Sequence, residues 1–301
     1  MIDRLTRGLV PSRGLRAIFV RIGDTARMAR MLHGLAPTAA WAFAESLAAG
    51  ALLGALQKSA GRINLQVEGD GPLRGLFVDA DPEGNVRGYV RVPQVTFPGD
   101  PGHGAVAALG PGGYLSVIRD LGGGQFYRSA VERQGQPLVE VLRRWFAASE
   151  QVETALDLCV LPREGEPLGE VAGLLVQRLP DGDAEAVAAL RQALAGGALP
   201  AALAGHGGHA GAQQVLQAVV GDGFDLLADL EIAYRCGCSA ERARAAVSAL
   251  GADGVAQVLA AEGQAEVSCE FCHAHYVVDR AQLEELERRL RDGEAGPAVP
   301  T

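Results

Sequence analysis

Apolar and polar positions follow two rhythms along this chain. In RINLQVEG, Ile63, Leu65 and Val67 alternate with polar neighbours, the period-two pattern of a strand with one buried face. LRAIFVRI (15–22), ALDLCVL and VAGLLVQRL are further strand candidates. Turn chemistry predicts two hairpins. GPLRGLFVDADPEGNVRGYVRV places strands either side of Asp81-Pro82-Glu83-Gly84, and GYLSVIRDLGGGQFYRSAVE either side of Gly122-Gly123-Gly124. The 3.6-residue period governs PLVEVLRRWFAASEQ, where Leu138, Val141, Leu142 and Trp145 share a helical face. Asp24 or Thr25 caps a short helix ending at Gly34, and Pro37 opens a long apolar helix running to about Lys58. Strands interleaved with a few helices over 1–179 predict an N-terminal α+β core domain.

The nearly uncharged run 35–56 is long enough to span a bilayer, but it is built mainly of Ala and Gly and contains Pro37 and Glu45. It predicts a buried core helix. From Pro180 the texture changes: helical pieces are broken by Gly-Gly and Pro, and large apolar residues become scarce. Ordering a backbone costs about 1–2 kcal/mol per residue. Residues 180–230 are therefore expected to form a helical linker of marginal stability that needs a surface to dock on. Residues 231–291 read as a compact unit. Ser239 caps a helix to about Leu250, a second helix runs from about Ala252 to Glu262, and AEVSCEFCHAHYVV makes a hairpin with Cys269 and Cys272 at its turn. Asp279 and Gln282 resemble a capping box for the last helix. The tail 292–301 is expected to be disordered.

Composition and charge then narrow the function. Apolar residues make up 48% and charged residues 21%, within the range of soluble globular proteins. The net charge of −9 argues against binding nucleic acid through clustered cations. The first twenty residues show no apolar segment followed by a small-residue cleavage site, so a cytoplasmic location is expected, with no membrane association. There, cysteine pairs bind metal or do redox work more often than they form structural disulfides. No phosphate loop, nucleophile elbow or zinc-protease helix is present, GDGPL and GPGGY read as turns, and no enzymatic activity is expected.

Four of the five cysteines form two tight pairs, C-x-C at Cys236 and Cys238 and C-x-x-C at Cys269 and Cys272. Four soft thiolates satisfy tetrahedral Zn²⁺. A unit of about sixty residues with few large side chains is hard to stabilise without a staple, and structural zinc contributes about 10–16 kcal/mol in small zinc peptides. One Zn²⁺ on Cys236, Cys238, Cys269 and Cys272 would make folding of the unit conditional on metal. Zinc keeps thiolates deprotonated and so nucleophilic, and an oxidised sulfur beside a second one closes a disulfide. Oxidation would then remove the free energy that folds the unit. His273 or His275 could replace a cysteine as ligand, but four thiols suffice. Cys159 reads as a small buried apolar residue, and Tyr234 and Phe271 as packing residues around the metal knuckle.

YRCGCSAER followed by EVSCEFCHAHY closely resembles the zinc-binding redox switch of the 33-kilodalton heat-shock chaperonins, the redox-regulated holdases of bacteria. LQVEGDGPLRG, VRGYVRV, GYLSVIRD, WFAASEQVET and AGLLVQRLP resemble blocks of that family's N-terminal domain in the same order, so the likeness covers nearly the whole chain. The resemblance implies an ATP-independent chaperone, silent when reduced and zinc-bound. It implies that oxidation pairs Cys236 with Cys238 and Cys269 with Cys272, that zinc is lost, and that the switch and linker unfold. It also implies a homodimer on activation and an N-terminal domain whose exposed apolar surface holds unfolding client proteins. The linker departs from the pattern: it is rich in Ala and Gly, carries a Gly-His-Gly-Gly-His stretch, and leaves the client-binding residues open.

Two other readings compete. A static zinc ribbon could grip a protein or nucleic acid; eleven acidic residues against seven Arg between Glu231 and Asp292 disfavour nucleic acid. A thiol oxidoreductase would need its C-x-x-C in a βαβ setting, and here the motif sits in a hairpin turn.

Overall fold

The computed structural model describes residues 3–57, 61–205 and 211–293. Lys58, residues 206–209 of the Gly-His-Gly-Gly-His stretch and 294–301 of the tail lie outside the described residues. The chain divides into two compact units, one ending at Arg235 and the other beginning at Cys236.

In chain order the first unit carries β1 (Arg4–Val10), β2 (Leu15–Arg21), α1 (Gly23–Leu32), α2 (Pro37–Gly54), β3 (Ile63–Glu68), β4 (Gly75–Ala80) and β5 (Asn85–Val90). Then come α3 (Pro101–Leu109), β6 (Tyr114–Gly122), β7 (Gln125–Glu132), α4 (Leu138–Trp145), β8 (Thr154–Arg163) and β9 (Glu166–Arg178). It closes with α5 (Ala184–Ala195), α6 (Ala198–Ala204), α7 (Ala212–Val220), β10 (Asp225–Glu231) and β11 (Ala233–Tyr234). An antiparallel sheet runs β10-β1-β2-β9-β8, and a second sheet runs β11-β5-β4-β3-β6-β7 with only the β11–β5 pair parallel among its described strands. This is the α+β class that the sequence predicts.

α2 packs against strands of both sheets, which explains its composition. Every residue of the helix is buried except Pro37, Trp41 and Glu45. Small residues let the strands approach: a Cβ at Gly50 would lie 2.4 Å from Val78 Cγ1. The apolar run is thus a core helix, as expected, and no single helix among the described residues is long and apolar enough to cross a membrane.

The outer face of the five-stranded sheet holds a second core. Ala17 and Phe19 of β2, Leu174 and Val176 of β9, and Ala155 and Cys159 of β8 lie there, covered by the segment after Pro180. That segment has few large apolar side chains, and those of α5, α6 and α7 supply this layer: Val187, Leu190, Leu194, Leu199, Leu203, Val215, Leu216 and Val220 are each at most 5% exposed. The linker is therefore docked through a sparse apolar set in its helices, while Leu226 and Leu227 nearer its end are exposed. It is also not helical to 230. Asp225–Glu231 is a strand that adds to the edge of β1, where alternation of Asp225, Leu226, Leu227, Ala228 and Asp229 is too irregular to announce it. What holds it is backbone pairing, aided by Asp229, which accepts from Arg4 and from Thr6 Oγ1 (3.0 Å).

The second unit contains α8 (Ala240–Ser248), α9 (Gly251–Ala261), β12 (Ala265–Ser268), β13 (His275–Val278) and α10 (Arg280–Arg291). Both expected caps form. Ser239 Oγ accepts from the Arg242 amide (3.2 Å), and Asp279 and Gln282 exchange bonds of 2.9 and 3.1 Å. The core is small: Val247, Val255, Ala265, Val278, Leu283 and Leu286 are its buried members among the described residues.

Candidate metal centre

Two local structures present the four sulfurs. β12 and β13 pair with Ser268 opposite His275, so Cys269 and Cys272 fall in the tip between them. The tip is tight: the Cys269 amide donates to Ala274 O (2.9 Å), and the His273 amide donates to Cys269 O (2.8 Å). His273 takes a positive φ of 57°, which closes the turn. Cys236 and Cys238 lie one residue apart in the irregular stretch between β11 and the Ser239 cap.

All four Sγ atoms lie within 4.8 Å of one another. Cys236 Sγ is 3.6 Å from Cys269 Sγ, and Cys238 Sγ is 3.2 Å from Cys272 Sγ. A tetrahedron of sulfurs at zinc–thiolate bond lengths has edges of about 3.8 Å, so the cluster has the dimensions to hold one metal ion. Every cysteine singled out in the two pairs is present in it. Among the described residues the group comprises these four alone; His273 and His275 are exposed, and His275 Nδ1 lies 2.9 Å from Ser268 Oγ.

The electrostatics agree with that geometry. At Cys238, burial opposes ionisation, but hydrogen bonds from Tyr276 Oη and the neighbouring thiols outweigh it and bring the pKa down to about 7. Burial, then its bonds to the other sulfurs, pushes Cys272 up to about 12, and burial raises Cys269 as well. Hydrogen bonds within the cluster thus favour ionisation at Cys238, while burial opposes it at Cys269 and Cys272. Four thiolates would repel one another unless a divalent cation neutralised them, which is the condition a metal ion meets.

Other residues fall elsewhere. Cys159 is 6% exposed, and burial pushes its thiol to about 12, so it is an inert core residue. Tyr234 belongs to the first unit: its hydroxyl donates to Gly88 O (2.6 Å) and lies 2.9 Å from His33 Nε2. Tyr276 is the residue that sequence reasoning passes over. Its Oη lies 3.1 Å from Cys238 Sγ. No pattern distinguishes it from Tyr234 or Phe271; only hairpin register turns it toward the sulfurs.

Comparison with known proteins agrees with this picture. The model of the Hsp33 protein family matches residues 3–279. The 33 kDa chaperonin of Thermosynechococcus vestitus is 36% identical over 300 residues, covering 96% of this chain and 98% of its own. That of Geobacter sulfurreducens is 36% identical over 273 residues, covering 90% and 87%, and that of Bacillus subtilis 30% identical, covering 95% and 98%. The crystal structure of the 33 kDa chaperonin from Thermotoga maritima superposes with a TM-score of 0.82 at 28% identity, over 97% of this chain and all of that one. With fold, cysteine cluster and near full-length similarity in accord, the chain belongs to the Hsp33 family of chaperones.

Proposed function

We propose that this protein is a redox-regulated, ATP-independent holdase of the cytoplasm, and not an enzyme. In the reduced state Cys236, Cys238, Cys269 and Cys272 hold one Zn²⁺, and the protein is inactive. When bound, the ion would neutralise the thiolates and join the C-x-C stretch to the hairpin, supplying cohesion that six buried side chains do not. The observation that carries this reading is the convergence of all four sulfurs within 4.8 Å in a unit with so little core.

Oxidation acts on the chain's own sulfurs. A thiolate attacks peroxide: an S–O bond forms, the O–O bond breaks, and hydroxide leaves. The neighbouring sulfur then displaces the second hydroxide from the sulfenic acid and closes the disulfide. Each pair gives up two electrons, and each peroxide becomes two waters after proton uptake. With Cys236–Cys238 and Cys269–Cys272 closed, no thiolate remains as ligand. The second unit loses its staple, the docked linker loosens, and the face carrying Phe19, Leu174 and Val176 opens to unfolding client proteins. Activation is accompanied by homodimerisation. Neither nucleic acid nor membrane is a partner.

The test measures metal release and suppression of client aggregation together, before and after peroxide at mild heat. About one zinc per chain released in step with the gain of activity is the expected result. Zinc retained with activity unchanged would instead leave a static zinc-ribbon binding module.

A further inference from the structure

The four sulfurs are not held alike. Cys236 Sγ meets the opposite half-site through Cys269 Sγ at 3.6 Å, and Cys238 Sγ through Cys272 Sγ at 3.2 Å. Cys238 has in addition a side chain from the opposite half-site that is not a cysteine. Tyr276 stands on β13, in the hairpin that carries Cys269 and Cys272, and its Oη lies 3.1 Å from Cys238 Sγ. One phenol therefore links the C-x-C stretch to the C-x-x-C hairpin without involving the metal.

A phenol O–H directed at a thiolate does two things. It fixes where the sulfur sits, and it withdraws electron density from the lone pair that must attack an oxidant. Nucleophilicity of a thiolate falls as its charge is stabilised, with a Brønsted sensitivity of about 0.4–0.5.

We propose that Tyr276 is a positioning residue of the redox switch: its hydroxyl donates to Cys238 Sγ, holds the C-x-C half-site against the hairpin, and slows oxidation of the Cys236–Cys238 pair relative to Cys269–Cys272. The inference rests on the four-thiolate metal reading above. In the step it restrains, Cys238 Sγ attacks a peroxide oxygen, the O–O bond breaks and hydroxide leaves. Cys236 Sγ then attacks Cys238 Sγ, the S–O bond breaks, and a second hydroxide leaves. The pair loses two electrons, and the peroxide is reduced to two waters once protons are taken up. The hydroxyl takes no part in the electron balance; it sets the barrier to the first attack.

The experiment uses the full-length reduced chain and the Tyr276→Phe variant, each loaded with Zn²⁺ or with Co²⁺. Three quantities are read: the cobalt–thiolate charge-transfer band, the melting midpoint of the zinc form, and the rate at which each disulfide forms in peroxide, followed by thiol trapping and mass spectrometry. A hydrogen bond to a charged sulfur, scaled by that sensitivity, sets the expected effect at about three- to tenfold. Cys236–Cys238 closure should accelerate by that factor in the variant, Cys269–Cys272 closure should stay within about twofold, and the cobalt band should move to longer wavelength. Tyr276→His, which restores a ring N–H donor, should return toward the wild-type rate.

Unchanged rates with an unchanged band would overturn the proposal. So would equal acceleration of both pairs with a lowered melting midpoint, or loss of cobalt binding in the variant, since either makes the phenol a general support of the fold. A wild-type chain that binds no cobalt through its thiolates would defeat the metal reading itself, an outcome distinct from any behaviour of the variant.

Discussion

Leu216→Ala tests the docking of the linker most directly. α7 is nine residues long and is anchored by three buried side chains, Val215, Leu216 and Val220. Leu216 is fully buried on the outer face of the five-stranded sheet. Truncating a fully buried leucine costs about 2–5 kcal/mol once the residual cavity is included. A nine-residue helix has little stability of its own, so the loss falls on the local docked–open equilibrium. Since about 1.4 kcal/mol is a factor of ten, the open population should rise at least ~30-fold. Amide hydrogen exchange on the reduced, zinc-loaded chain reads this change: peptides across 212–220 should exchange faster by that factor, while peptides across α2 should not. Opening the helix uncovers part of the face that holds Phe19 and Val176, so the reduced variant should suppress client aggregation without oxidant. Exchange unchanged within about threefold would refute the anchoring role. Faster exchange with no gain of activity would show that the covered face is not the one that holds clients.

Glu45 gives a pH prediction. Burial raises its carboxyl to about 7, against the hydrogen bond from Trp41 Nε1 (3.2 Å) and with help from the charge of Asp157. A carboxyl whose folded pKa is raised stabilises the fold below its unfolded pKa and loses that contribution as pH climbs through the folded value. Because part of the side chain remains accessible, Glu45→Gln should be about 1–3 kcal/mol more stable than wild type at pH 8, with the gap closing near pH 4.5 in denaturant titrations; a gap independent of pH would contradict this. Tyr234→Phe removes the donor to Gly88 O and the contact with His33, and should cost about 1–3 kcal/mol, read as a melting midpoint lower by about 2–8 °C. An unchanged midpoint would mean that the hydroxyl bonds are replaced by solvent at no cost. A strong chelator added under reducing conditions should abolish exchange protection across α8, α9 and α10, because about 10–16 kcal/mol of metal binding is withdrawn from a six-residue core; protection that survives would deny the metal its folding role.

Local chemistry made the hairpins, the two caps of the second unit and the cysteine cluster legible in the sequence, whereas α1 is not capped by Asp24 or Thr25: its N-cap is Ile22, and the Asp24 and Thr25 amides donate to the Asp3 carboxylate. Asp81-Pro82-Glu83-Gly84 lies between β4 and β5, Gly122-Gly123-Gly124 ends β6 and turns into β7, and Leu138, Val141, Leu142 and Trp145 are all buried. The cysteine spacing identified a group whose members do converge. Three features were not legible because their cause is distant in sequence. β1 and β10 are strands by virtue of each other and of β2, with Leu5 opposite Leu230 and Val20. α3 looks like loop in its Gly-rich sequence, and is secured by the Asp100 cap, which accepts from the Gly102 amide (2.9 Å). That the segment after Pro180 needs a surface to dock on was legible; which side chains of α5, α6 and α7 anchor it was not, because that depends on where a few leucines and valines point. Tyr276 belongs with these, since its meaning comes from register alone.

The stretch from Asp225 to Arg235 leaves one sheet and joins the other across a single residue, Ile232, immediately before Cys236. Six rungs hold its first part to β1, but only the two pairs Ala233–Asn85 and Tyr234–Val86 hold its end to β5. The contact at the crossing is close: a Cβ at Gly84 would come within 2.5 Å of Glu231 O. Such a seam unzips from its weaker end. Tension or entropy pulling from Cys236 onward meets the Tyr234 hydroxyl and two rungs before it reaches the longer ladder. The detachment therefore has a built-in halfway stop, at which one sheet has lost an edge strand and the other is still intact.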